Sequence, residues 1–392
     1  MFVHNNISTQ VHRLTVNMKS SKVVVTITGI RPDFIRMANV FKKLDEQFNH
    51  ILIHTGQHYD ELLSGSFFQE LDIRKPDHTL NSGKQSNNHF EQLAYLSTAI
   101  PNLFKHYNIK PDIIIFLGDS NSVCAALPLK KEGYTIGHIE AGMRSYDTRM
   151  LEEINRTVCD VCSKIYFVYH PDYKQHLIKE NISSEHIYCV GNTIVEPCLE
   201  MIDKLKLTPR LTPKREDMIL IDIHRPENFN YPSRLSKIIK IANLYGQKYQ
   251  LPVKLLFFKR LQDAINKYDI DLDKIQMIDL MPYTKYLECA YHCKFVISDS
   301  GSACEELPLL ETPVLVPREF TERPQSYESK CSIKLPIDEW NGDSLNCKTV
   351  RDVNDYIEHT HRKRDLKWLF PENGACNTSD LIIEHLHNFL NK

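Results

Sequence analysis

Val23-Val24-Val25-Thr26-Ile27-Thr28-Gly29-Ile30-Arg31-Pro32-Asp33 is the stretch that decides the fold. The run VVVTI over 23–27 is apolar and β-branched without alternation, as in a strand covered on both faces of its sheet. Gly29 permits a tight turn, Pro32 suits the first helical position, and residues 32–48 have helical character. Buried strand, glycine turn and helix in immediate succession are the repeating half of a doubly wound α/β sheet.

Working outward, the same unit recurs. Short apolar runs stand at 50–54 (HILIH), 113–117 (IIIFL), 135–139 (TIGHI), 165–168 (IYFV) and 187–190 (IYCV), with longer amphipathic segments between them. A second series begins at 218–223 (MILIDI) and continues at 253–258, 276–280, 295–297 and 314–316. The fold class is therefore α/β, with two Rossmann-like domains. The reading divides the chain into an N-terminal extension (1–21), an N-terminal Rossmann-like domain (22–204), a C-terminal Rossmann-like domain (205–374) and a C-terminal helix (375–392) packing back across the domains. Residues 205–217, rich in Pro, Lys and Arg, read as the interdomain linker. The last helix is expected over 379–391, where Ile382, His385, Leu386 and Phe389 share one face. Two such domains place ligand groups at the carboxyl ends of their strands, facing a shared cleft.

Composition narrows the function. A chain of 392 residues fits about two domains. A net charge of −2 argues against a nucleic-acid partner, although 361–367 (HRKRDLK) is a local basic cluster that reads as a solvated helix face. The 11 cysteines are scattered, and the Cys159/Cys162 pair has no second CxxC to complete a zinc site. Free thiols in a reducing cytoplasm are expected. No run of about 18 apolar residues occurs, so no membrane span is expected. The polar start lacks the apolar core of a signal peptide, and the sequons at Asn6 and Asn181 then read as chance matches.

The chemistry-bearing residues follow the apolar runs. Arg31 sits beside a new helix N-terminus, where an anion is favoured; it reads equally as a diphosphate or sugar contact and as a solvated residue of an ordinary turn. No GxGxxG occurs, which argues against NAD or FAD. Residues 55–60 (TGQHYD) read as a capped loop or part of a site. In 118–122 (GDSNS), Asp119 stands at a strand end, as a helix cap or as a base facing the cleft. Glu140, in 138–144 (HIEAGMR), ends another buried strand, and Glu152 follows in 152–156 (EEINR). Crowded carboxylates in dry surroundings have raised pKa values and can exchange protons near neutrality; the alternative is an ion-pair cluster with Arg144 and Arg156. His224, in 222–228 (DIHRPEN), is the best-placed imidazole among 18 histidines. In 298–306 (SDSGSACEE), small residues offer backbone N–H groups to phosphate, and a glutamate one turn on suits ribose hydroxyls; a plain capped helix start is the alternative. Residues 318–324 (REFTERP) add cationic reach.

Taken in order, GIRP, TGQHYD, GDSNS, HIEAGMRS, EEINR, CVGNT, HRPEN, SDSGSACEE and TERP resemble the non-hydrolysing UDP-N-acetylglucosamine 2-epimerase family, over residues 22–335. The resemblance implies a glycosyltransferase-B-like fold with the active site in the interdomain cleft. It implies UDP held by the C-terminal domain, a UDP-N-acetylhexosamine substrate, no metal and no cofactor, and a homodimer. By motif, Asp119, Glu140, Glu152 and His224 match the family's catalytic positions. Arg31, Arg36, Arg144, Ser300, Gly301, Ser302, Glu306 and Arg323 are carried over as UDP-sugar contacts. There are two departures. The 145–151 loop (SYDTRML) is shorter than in the glucosamine enzymes and looks more like the branch that forms UDP-N-acetyl-L-fucosamine or L-rhamnosamine from 6-deoxy-L-sugars. Phe258-Lys259 stands where the family commonly has His-Pro.

The chemistry such a family performs explains its carboxylates. The C2 proton of an N-acetylhexosamine has no adjacent carbonyl to acidify it. Breaking the anomeric C–O bond first acidifies that proton, and elimination gives UDP and a glycal; re-addition with protonation from the other face gives the epimer. Cations must hold the departing diphosphate, and acid/base groups must flank C2. Three other readings predict different outcomes: a glycosyltransferase of the same fold, a hydrolysing epimerase and a catalytically silent UDP-sugar sensor, which would form no product.

Overall fold

The computed structural model describes residues 19–57, 65–86, 88–208, 212, 214–342 and 344–392. Residues 1–18 of the expected extension with the Asn6 sequon, His58 to Asp60 of the TGQHYD stretch, and residues 209–211 and 213 of the expected linker lie outside the described residues.

The first series of runs forms a parallel seven-stranded sheet: β1 (Val23–Thr28), β2 (Asn49–His54), β3 (His78–Thr79), β4 (Ile113–Leu117), β5 (Ile136–Ile139), β6 (Ile165–Val168) and β7 (Ile187–Cys189), in the order β3-β2-β1-β4-β5-β6-β7. The second series forms a parallel six-stranded sheet: β8 (Met218–Asp222), β9 (Val253–Phe257), β10 (Gln276–Asp279), β11 (Cys293–Ser298), β12 (Val314–Val316) and β13 (Ile333–Lys334), in the order β10-β9-β8-β11-β12-β13. Both are doubly wound. Strand order reverses between β1 and β4 and again between β8 and β11, and loops leaving those ends diverge to open a crevice.

The central strands β4, β5 and β6 are buried along their whole length, which is why β4 and β6 are continuously apolar; in β5 the buried His138 is paired with Asp160 at 2.6 Å. Helix Arg31–Gln47 lays Phe34, Met37, Phe41 and Leu44 onto the sheet, and full burial of side chains of this size stabilises by about 1.5–3 kcal/mol each. The helix starts where Asp33 accepts from the backbone N–H groups of Gly29 (2.7 Å) and Ile30 (3.1 Å). Burial pushes the Asp33 carboxyl up to about 7.

One apolar cluster takes in Phe34 from the helix Arg31–Gln47 and Leu52 from the first sheet, Val296 and Val314 from the second, and Ile382 and Leu386 from the C-terminal helix Thr378–Leu390. That helix stacks His387 on Phe48 at 4.3 Å and His385 on Tyr188 at 3.8 Å between ring centroids. Among the described residues no helix is long and apolar enough to cross a membrane. The strands β3 and β13 were absent from the sequence reading. Each is two residues long, too short for any period to show, and each exists only because a neighbouring edge supplies its hydrogen bonds.

Candidate active site

The turns at the two points of reversal carry the site. After β1, Gly29 is in such close approach to the turn after β4 that a Cβ there would stand 2.2 Å from Ser120 Oγ. Across from them the turns after β8 and β11 are joined by Asp299, whose carboxylate accepts from the backbone N–H groups of His224 (2.9 Å) and Arg225 (3.0 Å) and from Asn228 Nδ2 (2.8 Å). Between the domains lies a cavity of about 730 Å³. Asp119 and Glu152 face it from the N-terminal side, and His224, Arg225 and Arg260 from the C-terminal side.

Each of these groups is held. Asp119 is paired with the buried Arg156, and its backbone carbonyl accepts from Asn155 Nδ2 at 2.9 Å. Burial opposes ionisation of Asp119, but the Arg156 guanidinium outweighs it and holds the carboxyl below the usual range. Glu152 looks into the cavity, with Arg225 at 3.8 Å. Its neighbour Glu153 turns the other way. It accepts from Ser145 N (2.9 Å) and Tyr146 N (3.0 Å) and so holds the short loop. The His224 side chain is about half exposed, and its Nδ1 lies 3.2 Å from Asp299, which leaves Nε2 to the cavity side.

Glu140 is placed differently. It does not line the cavity but sits behind it, 3% exposed, with its backbone in the left-handed region at φ 71°. That conformation is uncommon for a glutamate and turns its side chain behind the cavity wall. One carboxylate oxygen pairs with Arg36; the other accepts from Arg323 Nη2 at 2.6 Å. Burial raises the Glu140 carboxyl above its ordinary value, and the two guanidinium groups oppose that rise. Arg36 and Arg323 meet again on Glu305, at 3.0 and 2.6 Å, so that four buried side chains close an alternating ring across the two domains.

Residues 42–340 match the profile of the UDP-N-acetylglucosamine 2-epimerase family. The chain belongs to that family. It is 34% identical over 335 residues to the UDP-N-acetylglucosamine 2-epimerase of Methanococcus maripaludis, a match covering 82% of this chain and 89% of that protein. The structure of the Methanocaldococcus jannaschii UDP-GlcNAc 2-epimerase in complex with UDP-GlcNAc and UDP superposes with a TM-score of 0.80 at 27% identity, covering 94% of this chain and 99% of that one. The Neisseria meningitidis UDP-GlcNAc 2-epimerase bound to UDP-GlcNAc gives 0.77 at 26% identity, covering 93% and 100%. The fold is accordingly glycosyltransferase-B-like, and the chain is an enzyme of the isomerase class.

Within this epimerase-family chain the other expected residues separate. Ser300, Gly301 and Ser302 form the half-buried turn after β11, with Arg323 packed so closely that a Cβ on Gly301 would stand 2.5 Å from its guanidinium. Glu306 is buried and accepts from the Tyr283 hydroxyl; burial pushes its carboxyl up to about 8, so it carries a proton at neutral pH. Arg31 donates to the Met281 carbonyl at 3.4 Å and lies over the Phe67 ring. Arg144 does not line the cavity. It pairs with Asp160 (2.8 Å) and Glu180 (2.6 Å), beneath the HIEAGMR turn.

The two departures from the family pattern also have a place. In the short loop Arg149 reaches the other domain, pairing with Glu319 at 2.9 Å and lying over Phe320. Phe258 packs on Phe229 and begins the helix Lys259–Lys267, which brings Arg260 to the cavity wall. Sequence reasoning missed Arg225, Arg260, Asp299 and Glu305 as members of the site. Arg225 and Asp299 lie inside quoted motifs, and a strand-end aspartate facing a strand-end histidine was the signal available for them.

Proposed function

We propose that this protein inverts C2 of a UDP-linked 2-acetamido sugar by elimination and re-addition of UDP, with the domains dividing at about residues 204–205 as the sequence suggests. The observation that carries the reading is that Asp119 and Glu152 from one domain face the same cavity as His224 from the other. In the forward half-reaction the C1–O electron pair leaves with the diphosphate, and the C2 proton passes to a carboxylate. In the return half-reaction the diphosphate oxygen attacks C1 while a second group delivers a proton to the opposite face of C2. Asp119, kept ionised by Arg156, is suited to accept a proton. Glu152 is suited to the other face, with Glu140 as a group whose proton affinity is tuned behind them. His224, Arg225, Arg323 and the turn of Ser300, Gly301 and Ser302 supply hydrogen bonds and charge for the leaving diphosphate. Glu306, Arg31 and Arg36 complete the hold on the nucleotide sugar, and Arg144 acts indirectly by supporting the turn that carries Glu140.

UDP-GlcNAc, giving UDP-ManNAc, is the substrate that the names of the relatives support. The short 145–151 loop favours a second reading, a UDP-2-acetamido-2,6-dideoxy-L-hexose giving the L-fucosamine or L-rhamnosamine series. Incubating the protein with each candidate in D2O and reading the products by NMR decides between them. Deuterium at C2 of both epimers is expected for the true substrate. No exchange across the panel would remove the epimerase reading in favour of a glycosyltransferase or a UDP-sugar sensor. The 11 unpaired cysteines support action in a reducing cytoplasm.

We further propose that the protein works as a homodimer. Helix Leu151–Cys162 exposes Leu151, Ile154 and Val161 along one stripe, with Val158 half-buried between them and Leu127 exposed on the neighbouring helix Ala126–Lys131. An apolar stripe of this kind suits a self-complementary contact between two copies. Light scattering should give twice the chain mass of 45.7 kDa for the natural protein and a single chain for Val161→Glu. A dimer that survives the substitution unchanged would place the contact elsewhere.

A further inference from the structure

We propose that Glu305 is a positioning residue that, through Arg36 and Arg323, locks the two domains around the cleaved intermediate, so that UDP and the glycal recombine rather than escape. The inference rests on the epimerase reading and concerns a residue that reading does not use.

The ring Glu140–Arg36–Glu305–Arg323 contains one cation and one anion from each domain. Two of its four ion pairs are internal to a domain: Arg36 with Glu140 in the first, and Arg323 with Glu305 in the second. The other two, Arg36 with Glu305 at 3.0 Å and Arg323 with Glu140 at 2.6 Å, cross the seam. Parting the domains breaks only the crossing pairs and leaves each domain with a neutral pair of its own. Such a seam opens without stranding a buried charge, yet when closed it holds all four groups out of water, where their attraction is strongest.

Glu305 is the member on which this depends. It is fully buried and in contact with both arginines, while the adjacent Glu306 points instead to Tyr283. Glu305 also stands in the short helix Ala303–Glu306 that follows the turn of Ser300 to Ser302, and Arg323 lies against Gly301 in that turn. The ring therefore links the proposed nucleotide-holding turn to the carboxylate of Glu140 in the other domain. Neutralising Glu305 removes the crossing pair to Arg36 and leaves Arg36 and Arg323 sharing Glu140, with Arg323 also keeping Glu322, so one crossing pair instead of two holds the seam and opening is favoured.

Opening matters at one stage above all. Between the half-reactions UDP and the glycal are held without a covalent bond, and escape competes with re-addition. The test is to incubate natural protein, Glu305→Gln and Glu305→Asp with UDP-GlcNAc, or with the sugar that exchanges in D2O. Free UDP and free 2-acetamidoglycal are then measured per C2-exchange event. Glu305→Gln should raise that ratio roughly tenfold, a change of about 1.4 kcal/mol in partitioning, with a smaller rise for Glu305→Asp, which keeps the charge but shortens the reach. Should Glu305→Gln not fold, the aspartate variant carries the same comparison. Folded variants that partition like the natural protein overturn the inference and leave the epimerase reading standing. Absence of C2 exchange in the natural protein overturns both.

Discussion

Replacing Asp119 by asparagine is expected to lower kcat by about 10³-fold while leaving UDP affinity unchanged, because a positioned general base contributes roughly 10²–10⁴. The substitution keeps the shape of the side chain, and Arg156 keeps its second partner, Glu153, so the fold survives. The proposed nucleotide-holding turn lies in the other domain and does not touch Asp119, so UDP binding should not report the change. Turnover followed by NMR and UDP binding followed by calorimetry separate the two quantities. A variant that turns over within about threefold of the natural protein would reduce Asp119 to an ion-pair partner of Arg156, the kind of structural role that single side chains often have.

The strands were legible because sheets covered on both faces leave continuous apolar runs; 113–117 and 165–168 were read to the residue. The site was legible as far as it follows strand ends, which covers Asp119 and His224. What was not legible is the phase of a helix. Neighbouring helical residues point about 100° apart, so the pairs Glu152–Glu153 and Glu305–Glu306 look alike in sequence. The structure sends Glu152 to the cavity and Glu153 to the loop, and sends Glu305 to the ring and Glu306 to Tyr283. Glu140 was expected beside the other two carboxylates. It lies close to Asp119 but behind the cavity wall, where its left-handed backbone turns it onto Arg36 and Arg323, and no local pattern announces a positive φ at a glutamate. Arg144 shows the limit of motif transfer: the match is in register, but its partners Asp160 and Glu180 come from later elements.

Arg156→Met is expected to damage both stability and catalysis. Arg156 is 1% exposed and paired with Asp119 and Glu153, and removing one member of a buried pair costs about 3–5 kcal/mol because the other charges lose their compensation. The pH dependence identifies the cause. In the natural protein the depressed Asp119 carboxyl contributes stability that is present above its unfolded value, near 3.8, and is lost as pH falls through the lower folded value. Without Arg156, burial and the nearby Glu322 carboxylate outweigh the remaining Arg225 guanidinium and raise the Asp119 carboxyl above the unfolded value, so its ionisation costs stability as pH rises. Urea unfolding should therefore show the gap between natural protein and variant widening as pH rises through and above the unfolded value of 3.8. The acid limb of the kcat profile should move upward in the same variant, since a base must be ionised to accept the C2 proton. Adding Asp119→Asn to Arg156→Met should flatten the stability gap by removing the charge left unpaired. A gap that stays constant with pH would mean that Arg156 acts through packing alone, and Asp119 would then need another source for its ionisation.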